Sequence, residues 1–244
     1  MNQRNFKHAN NPDFHCASSV ILLPFGRCSF LPAIADRIGG VEVELDETTD
    51  RIVYQLGSRG ITLVYSGMGG PAAANALEMA AANGADRVVV FGACGGVDPR
   101  LQVGHVLVVS GAVRGEGTSD YYAPPGFPAA FDPRLTTKLW EAAGSAAVET
   151  HLGSTYTTDA GYRQGPEIYE DCAGLVLGVE SECSTAAVVG ARLGLRMGAL
   201  LFCTDNVSLA RAEDQQYGGL RDPRVRSGFE AGLDAVVEVL RTEE

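Results

Sequence analysis

Two acids stand two residues apart in the segment Gly178-Val179-Glu180-Ser181-Glu182-Cys183-Ser184-Thr185, in an apolar setting just ahead of a helical pattern. If the chain is extended there, Glu180 and Glu182 point to the same face. A carboxylate on that face can accept two hydrogen bonds from a sugar diol. Equally, one of the two can cap the helix that follows. A third acid, Asp205, closes the apolar run ending Cys203-Thr204-Asp205-Asn206. A partly buried Asp can hold a proton and pass it to a leaving group, although Asp-Asn is also an ordinary turn pair. Two glycine-rich stretches complete the set: Ser66 to Asn75, with Met68 and Gly69, and Phe91 to Pro99, with Ala93, Cys94 and Gly95. Glycine lets a backbone turn tightly and approach a ligand, and a helix N-terminus after the first stretch offers unpaired N–H groups. Together these residues suit the binding of a hydroxylated small molecule and a proton transfer to it.

The elements that must position them read as alternating strands and helices. Apolar runs predict strands at 19–24, 87–91, 105–110, 151–158 and 197–203, and a hairpin of 52–56 with 60–65. Runs that are continuously apolar, rather than alternating, predict strands buried on both faces. Helical periodicity covers 71–83, with Pro71 in the first turn, and 134–147, 184–193 and 227–242. Both glycine-rich stretches are expected as loops at the carboxyl ends of neighbouring strands, where α/β sheets bind ligands. The pattern predicts a single three-layer α/β domain over 1–244, with 1–17 as an N-terminal arm.

Composition narrows the classes. The 244 residues are 45% apolar and 20% charged, with a formal charge of −11. That length supports one sizeable core, and an acidic surface repels phosphate backbones, so nucleic acid is not an expected partner. The six cysteines form no CxxC pair, and no histidine cluster has zinc-ligand spacing. Buried thiols in a reducing compartment are expected, and no metal site. No stretch reaches the roughly 18 apolar residues of a membrane span, and the first residues lack a secretory signal. The expectation is a cytoplasmic protein without a membrane partner.

Six segments, in order, are GMGGPAAANAL, FGACGGVDPRLQVGHVLVV, VRGEGTSDYYAP, TTDAGY, GVESECSTA and CTDN. In that order they resemble the nucleoside phosphorylase superfamily, which includes purine nucleoside and uridine phosphorylases and the methylthioadenosine/S-adenosylhomocysteine nucleosidases. The resemblance runs from about Val20 to Leu240. It implies a three-layer α/β/α sandwich with a central mixed, partly barrel-like sheet, and a homo-oligomer between dimer and hexamer. It implies Glu182 on the 2′- and 3′-hydroxyls of a ribose, with Glu180 beside it and Ser181 where the family usually has Met. Asp205 matches the acid that protonates a departing purine at N7. Tyr162 falls in the base-stacking region. His8, with His15 as a rival, falls near a histidine that reaches into a neighbouring site.

The departures bear on the reaction. Where uridine enzymes read uracil with Gln and Arg, this chain has Gly165-Pro166-Glu167-Ile168. Val90, Ala93, Phe30 and Glu47 stand at the family's phosphate-binding positions, leaving Gly26-Arg27, and Arg51, as the side from which phosphate or water would arrive. Phosphate without a bidentate Arg is poorly held. The expected activity is phosphorolysis of a purine nucleoside, with inorganic phosphate as co-substrate and no cofactor. Hydrolysis by water is the alternative, although the first loop carries no carboxylate to activate it. A non-catalytic nucleoside-binding protein is the alternative of another class, against which Asp205 argues, since binding alone needs no proton donor.

Overall fold

The computed structural model describes residues 16–25, 30–31, 33–34, 41–43, 52–56, 60–163, 171–209 and 213–242. The strands are β1 (Ser19–Leu23), β2 (Val41–Val43), β3 (Ile52–Leu56), β4 (Ile61–Tyr65), β5 (Arg87–Gly96), β6 (Val106–Gly115), β7 (Ala129–Ala130), β8 (Thr150–Thr158), β9 (Gly178–Glu180) and β10 (Arg196–Asn206). The helices are α1 (Gly70–Ala82), α2 (Pro133–Gly144), α3 (Cys183–Leu193) and α4 (Pro223–Arg241).

The sheet is mixed and closes on itself. β10 pairs antiparallel with β6, β6 parallel with β8, β8 parallel with β9, β9 antiparallel with β5, and β5 parallel with β10. Those five pairings form a complete ring, so the expected barrel character is real. A wing continues from β5 through β1 and β4, both parallel, to the antiparallel β3 and β2. The expected hairpin is present, with Leu56 opposite Ile61. β1 lies between two parallel neighbours, which accounts for its unbroken burial.

Alternation along the strands sorts side chains into two cores. Val20, Leu22, Val88, Val90 and Leu201 pack with α1 and α3 through Ala73, Leu77, Ala186 and Ala187. Ile21, Leu23, Val89, Phe91, Leu200 and Phe202 pack with α2 and α4 through Leu135, Leu139, Phe229 and Leu233. One helix pair on each side of the sheet makes the three layers. Phe202 meets Phe30, Phe91 and Phe229 with ring centroids 5.5, 5.7 and 5.6 Å away, within the range for favourable aromatic pairs. Buried Arg87 ties the sheet to the end of α4, donating to Ser19 Oγ and to the carbonyls of Leu240 and Thr242. The start of α4 lies against the Gly104 turn: a methyl on Gly228 would collide with the Gly104 carbonyl oxygen.

One expectation is corrected here. The second glycine-rich stretch is not a loop. β5 runs on through Gly92, Ala93, Cys94, Gly95 and Gly96, because those small residues let β9 and β10 pair with it from both sides. Gly95 lies opposite Val179 on β9 and opposite Asp205 on β10. β6 likewise extends to Gly115 and β10 to Asn206. Among the described residues, no helix is long and apolar enough to cross a membrane.

Candidate active site

A cavity of about 290 Å³ opens where β5, β9 and β10 end. Its walls include Met68 from the loop before α1, Ala93, Cys94, Gly95 and Gly96 from β5, Glu180, Ser181 and Glu182 from the β9–α3 junction, and Thr204 and Asp205 from β10. Phe25, Val179, Val207 and Tyr217 complete it.

The two glutamates have different environments. Glu180 is the last residue of β9, and its carboxylate is saturated inside the protein. Oε1 accepts from Thr155 Oγ1 at 3.1 Å and Thr157 Oγ1 at 2.5 Å. Oε2 accepts from the backbone N–H groups of Glu182 and Cys183, each at 2.6 Å. Those are the orphan donors at the start of α3, so Glu180 caps that helix from outside the usual cap position. Burial pushes its carboxyl upward, and the four donors oppose the push. Glu182 is the residue left to face a ligand. It occupies the N-cap of α3 without capping through its side chain. Its Oε1 accepts from Gly69 N at 2.6 Å. Gly69 holds φ at 98°, a conformation other residues rarely adopt, and that turn aims its N–H at Glu182. Burial first, and then the Glu180 charge, push the Glu182 carboxyl up to about 8 against the Gly69 and Ser181 N–H groups.

Asp205 is placed by an irregularity in β10. The register with β5 shifts between Cys203 and Asp205, so that Asp205 faces Gly95 while Cys203 faces Cys94. A bulge of this kind re-aims a side chain at a strand end. Gly95 leaves room for it, since a methyl there would sit 3.4 Å from Asp205 Oδ2. Thr204 Oγ1 donates to Asp205 Oδ1 at 2.7 Å. Burial raises the Asp205 pKa and the Thr204 hydroxyl opposes the rise. A carboxyl with raised proton affinity on a cavity wall is suited to give a proton to a bound group.

A second layer holds the frame. Buried Glu116, beyond the end of β6, accepts from Ser119 N and from Ser184 Oγ, each at 2.9 Å, and so joins β6 to α3. Burial opposes its ionisation, but these donors win and hold its pKa below the usual value. Glu116 sits within the VRGEGTSDYYAP segment, where nothing in the local sequence marks it as buried.

Of the residues singled out from sequence, Met68, Ala93, Cys94, Gly95, Glu180, Ser181, Glu182 and Asp205 line this one cavity, with Gly69 bonded to Glu182 behind it. Tyr162 does not. It stands fully exposed in a short turn, Gly161–Arg163, away from the walls. The aromatic side chains on the cavity walls are Phe25 and Tyr217, and the Tyr217 hydroxyl pKa is raised by burial and then by the Asp205 charge. The Tyr217 segment, Gln215-Gln216-Tyr217-Gly218-Gly219, offered one signal, an aromatic residue beside two glycines in polar surroundings. His8, His15, Gly26, Arg27, Arg51 and the 165–168 stretch lie outside the described residues. Among the described residues, no Arg or Lys lines the cavity.

Comparison with known proteins bears on the family and the fold. The family profile described as "Phosphorylase superfamily" matches residues 21–222. The chain is similar to uridine phosphorylase of Klebsiella aerogenes, at 35% identity over 160 residues, covering 59% of this chain and 63% of that protein. It is also similar to uridine phosphorylase of Escherichia coli (strain K12), at 34% identity over 209 residues, covering 76% of this chain and 82% of that one. The match thus spans slightly less than two thirds of the first relative and more of the second. In three dimensions it is similar to purine nucleoside phosphorylase from Toxoplasma gondii in complex with immucillin-H, with a TM-score of 0.79 at 22% identity, covering 92% of this chain and 90% of that one. At that identity the likeness speaks for the fold.

Proposed function

This chain belongs to the phosphorylase superfamily, and from that premise we propose that it cleaves the N-glycosidic bond of a purine nucleoside by phosphorolysis. The observation that carries the reading is Asp205, a carboxyl of raised proton affinity that shares one cavity with Glu182. In the proposed reaction Glu182 accepts hydrogen bonds from the ribose diol. As the C1′–N bond breaks, the electron pair leaves with the base and positive charge develops on the sugar. In its ionised form Glu182 stabilises that charge. The Asp205 proton passes to N7 of the base. A phosphate oxygen then bonds to C1′. Tyr217 supplies an aromatic face for the base. Neither a metal nor an organic cofactor enters this scheme.

Hydrolysis is the second reading, favoured by the lack of Arg and Lys among the described lining residues. Uridine is the rival substrate, because the relatives above are named uridine phosphorylases. One experiment separates these outcomes: incubation with adenosine, guanosine, inosine and uridine, each with and without phosphate, with product analysis. Phosphate-dependent release of purine base with ribose 1-phosphate is the expected result. Free ribose without phosphate would assign hydrolysis, preferred uridine cleavage would overturn the purine assignment, and no turnover with retained nucleoside binding would make the protein a binder. We further propose a homo-oligomer of at least two copies; sedimentation of an active monomer at micromolar concentration would refute it.

A further inference from the structure

The starts of β6 and β8 bring together three side chains that the proposed reaction does not use. Val106 lies opposite Thr150 and Leu107 opposite His151 in the parallel pairing. Extending that register by one residue sets His105 beside Glu149, and the bond from Val106 N to the Glu149 carbonyl at 2.9 Å holds the two chains there. Residues two apart on a strand share a face, so His105, Glu149 and His151 fall on one patch of the barrel rim. His105 Nδ1 and His151 Nε2 are 3.0 Å apart. Glu149 Oε1 is 3.9 Å from His151 Nε2, and one ligand atom from each of the three residues lies within 4.8 Å of the others. None of the three lines the cavity.

We propose that His105, Glu149 and His151 bind one divalent transition-metal ion of the zinc class. Zinc bonds to imidazole nitrogen and carboxylate oxygen are about 2.0–2.2 Å long, which sets two ligand atoms of one ion about 3–3.5 Å apart. The two nitrogens already stand at that spacing, and the exposed Glu149 side chain is free to close the remaining distance. Two imidazoles and one carboxylate are a borderline donor set that suits zinc, nickel or copper better than magnesium or calcium. The 3.0 Å contact between the two ring nitrogens is an N–H···N hydrogen bond, so one of them carries a hydrogen that the ion would displace. Gln102 N–H points at His105 Nδ1 from 3.3 Å, a long bond that marks this nitrogen as a lone-pair bearer. Two half-buried histidines and one exposed acid leave the remaining coordination positions to water. The ion would fasten β6 to β8 within the ring. His105 also accepts, through its backbone carbonyl, from Cys203 N at 2.9 Å, so the fastening reaches β10 two residues before Asp205.

The chain has four histidines, at 8, 15, 105 and 151, which permits a clean test. The full chain is prepared untagged and metal-free with His8→Ala and His15→Ala, leaving His105 and His151 as its histidines. Equilibrium dialysis against zinc should find one ion per chain. Glu149→Gln, on an exposed side chain, should weaken binding at least tenfold, and His151→Ala should abolish it. Zinc at one-hundredfold its Kd should raise the Tm by about 5–10 °C, and Glu149→Gln should remove most of that rise at the same zinc concentration. Copper(II) in the same background should show electron paramagnetic resonance hyperfine structure from two imidazole nitrogens, a readout independent of whether His151→Ala folds. No bound ion, binding unchanged by Glu149→Gln, or copper without nitrogen hyperfine would each overturn the proposal.

Discussion

Replacing Glu182 by Gln should change how stability depends on pH. The Glu182 carboxyl is buried, faces the Glu180 charge, and has its pKa raised from 4.5 to about 8. A group whose folded pKa lies above its unfolded value stabilises the fold below the unfolded pKa. That contribution fades as pH rises and is gone above the folded pKa. The window is therefore pH 4.5 to about 8, with stability falling as pH increases. One pKa unit is worth about 1.4 kcal/mol, which sets a ceiling of about 5 kcal/mol on the loss. Relaxation and water entry in an open cavity reduce such ceilings, so about 2 kcal/mol is the working value. For a chain of this size each kcal/mol moves Tm by about 2–4 °C. Glutamine is nearly isosteric, accepts from Gly69 N through its amide oxygen, and does not ionise. The variant's Tm should therefore gain about 4–8 °C on the wild type between pH 5 and pH 8.5, followed by calorimetry at both pH values. A Tm difference that stays constant across that range would show that Glu182 does not carry a displaced proton, and the reasoning would fail. Turnover should move the other way, falling at least about tenfold in Glu182→Gln as a charged contact to the sugar is lost.

Other perturbations test the remaining parts of the site. Asp205→Asn should slow cleavage of an ordinary purine nucleoside by about 10²–10⁴-fold, and that of one with an activated leaving group far less; equal losses would make Asp205 structural. The wild-type rate should fall at high pH as the Asp205 carboxyl, whose pKa is raised, loses the proton it donates, and Asp205→Asn should lack that fall; the same fall in the variant would exclude this role. Glu180→Ala strips four donors of their acceptor and should destabilise the fold by at least about 3 kcal/mol, seen as an earlier urea midpoint; a midpoint like that of the wild type would remove it as the cap of α3. Gly228→Ala pushes a methyl into the Gly104 carbonyl and should cost about 1–3 kcal/mol by the same measurement, leaving the kinetics of the folded fraction intact.

Much was legible in the sequence because it is written locally. Continuous apolar runs marked β1, β5 and β10, since a strand covered on both faces needs no polar side. Helical periodicity marked α1 to α4 to within a few residues, with Pro71 in the first turn of α1. Glu182, Asp205 and the glycines stood out because acids in apolar surroundings and runs of small residues are costly unless used. The tertiary structure decided what depends on pairing between distant segments. It closed the ring of β10, β6, β8, β9 and β5, a property of register that no single strand carries. It divided the two glutamates, because Thr155 and Thr157 from β8 reach Glu180 and not Glu182. It set Tyr217 rather than Tyr162 on the cavity, and it drew the second glycine stretch into β5 by giving it neighbours on both sides. The histidines show the same limit most sharply. His105 and His151 are 46 residues apart in the chain and 3.0 Å apart in space, and only the parallel register of β6 on β8 joins them.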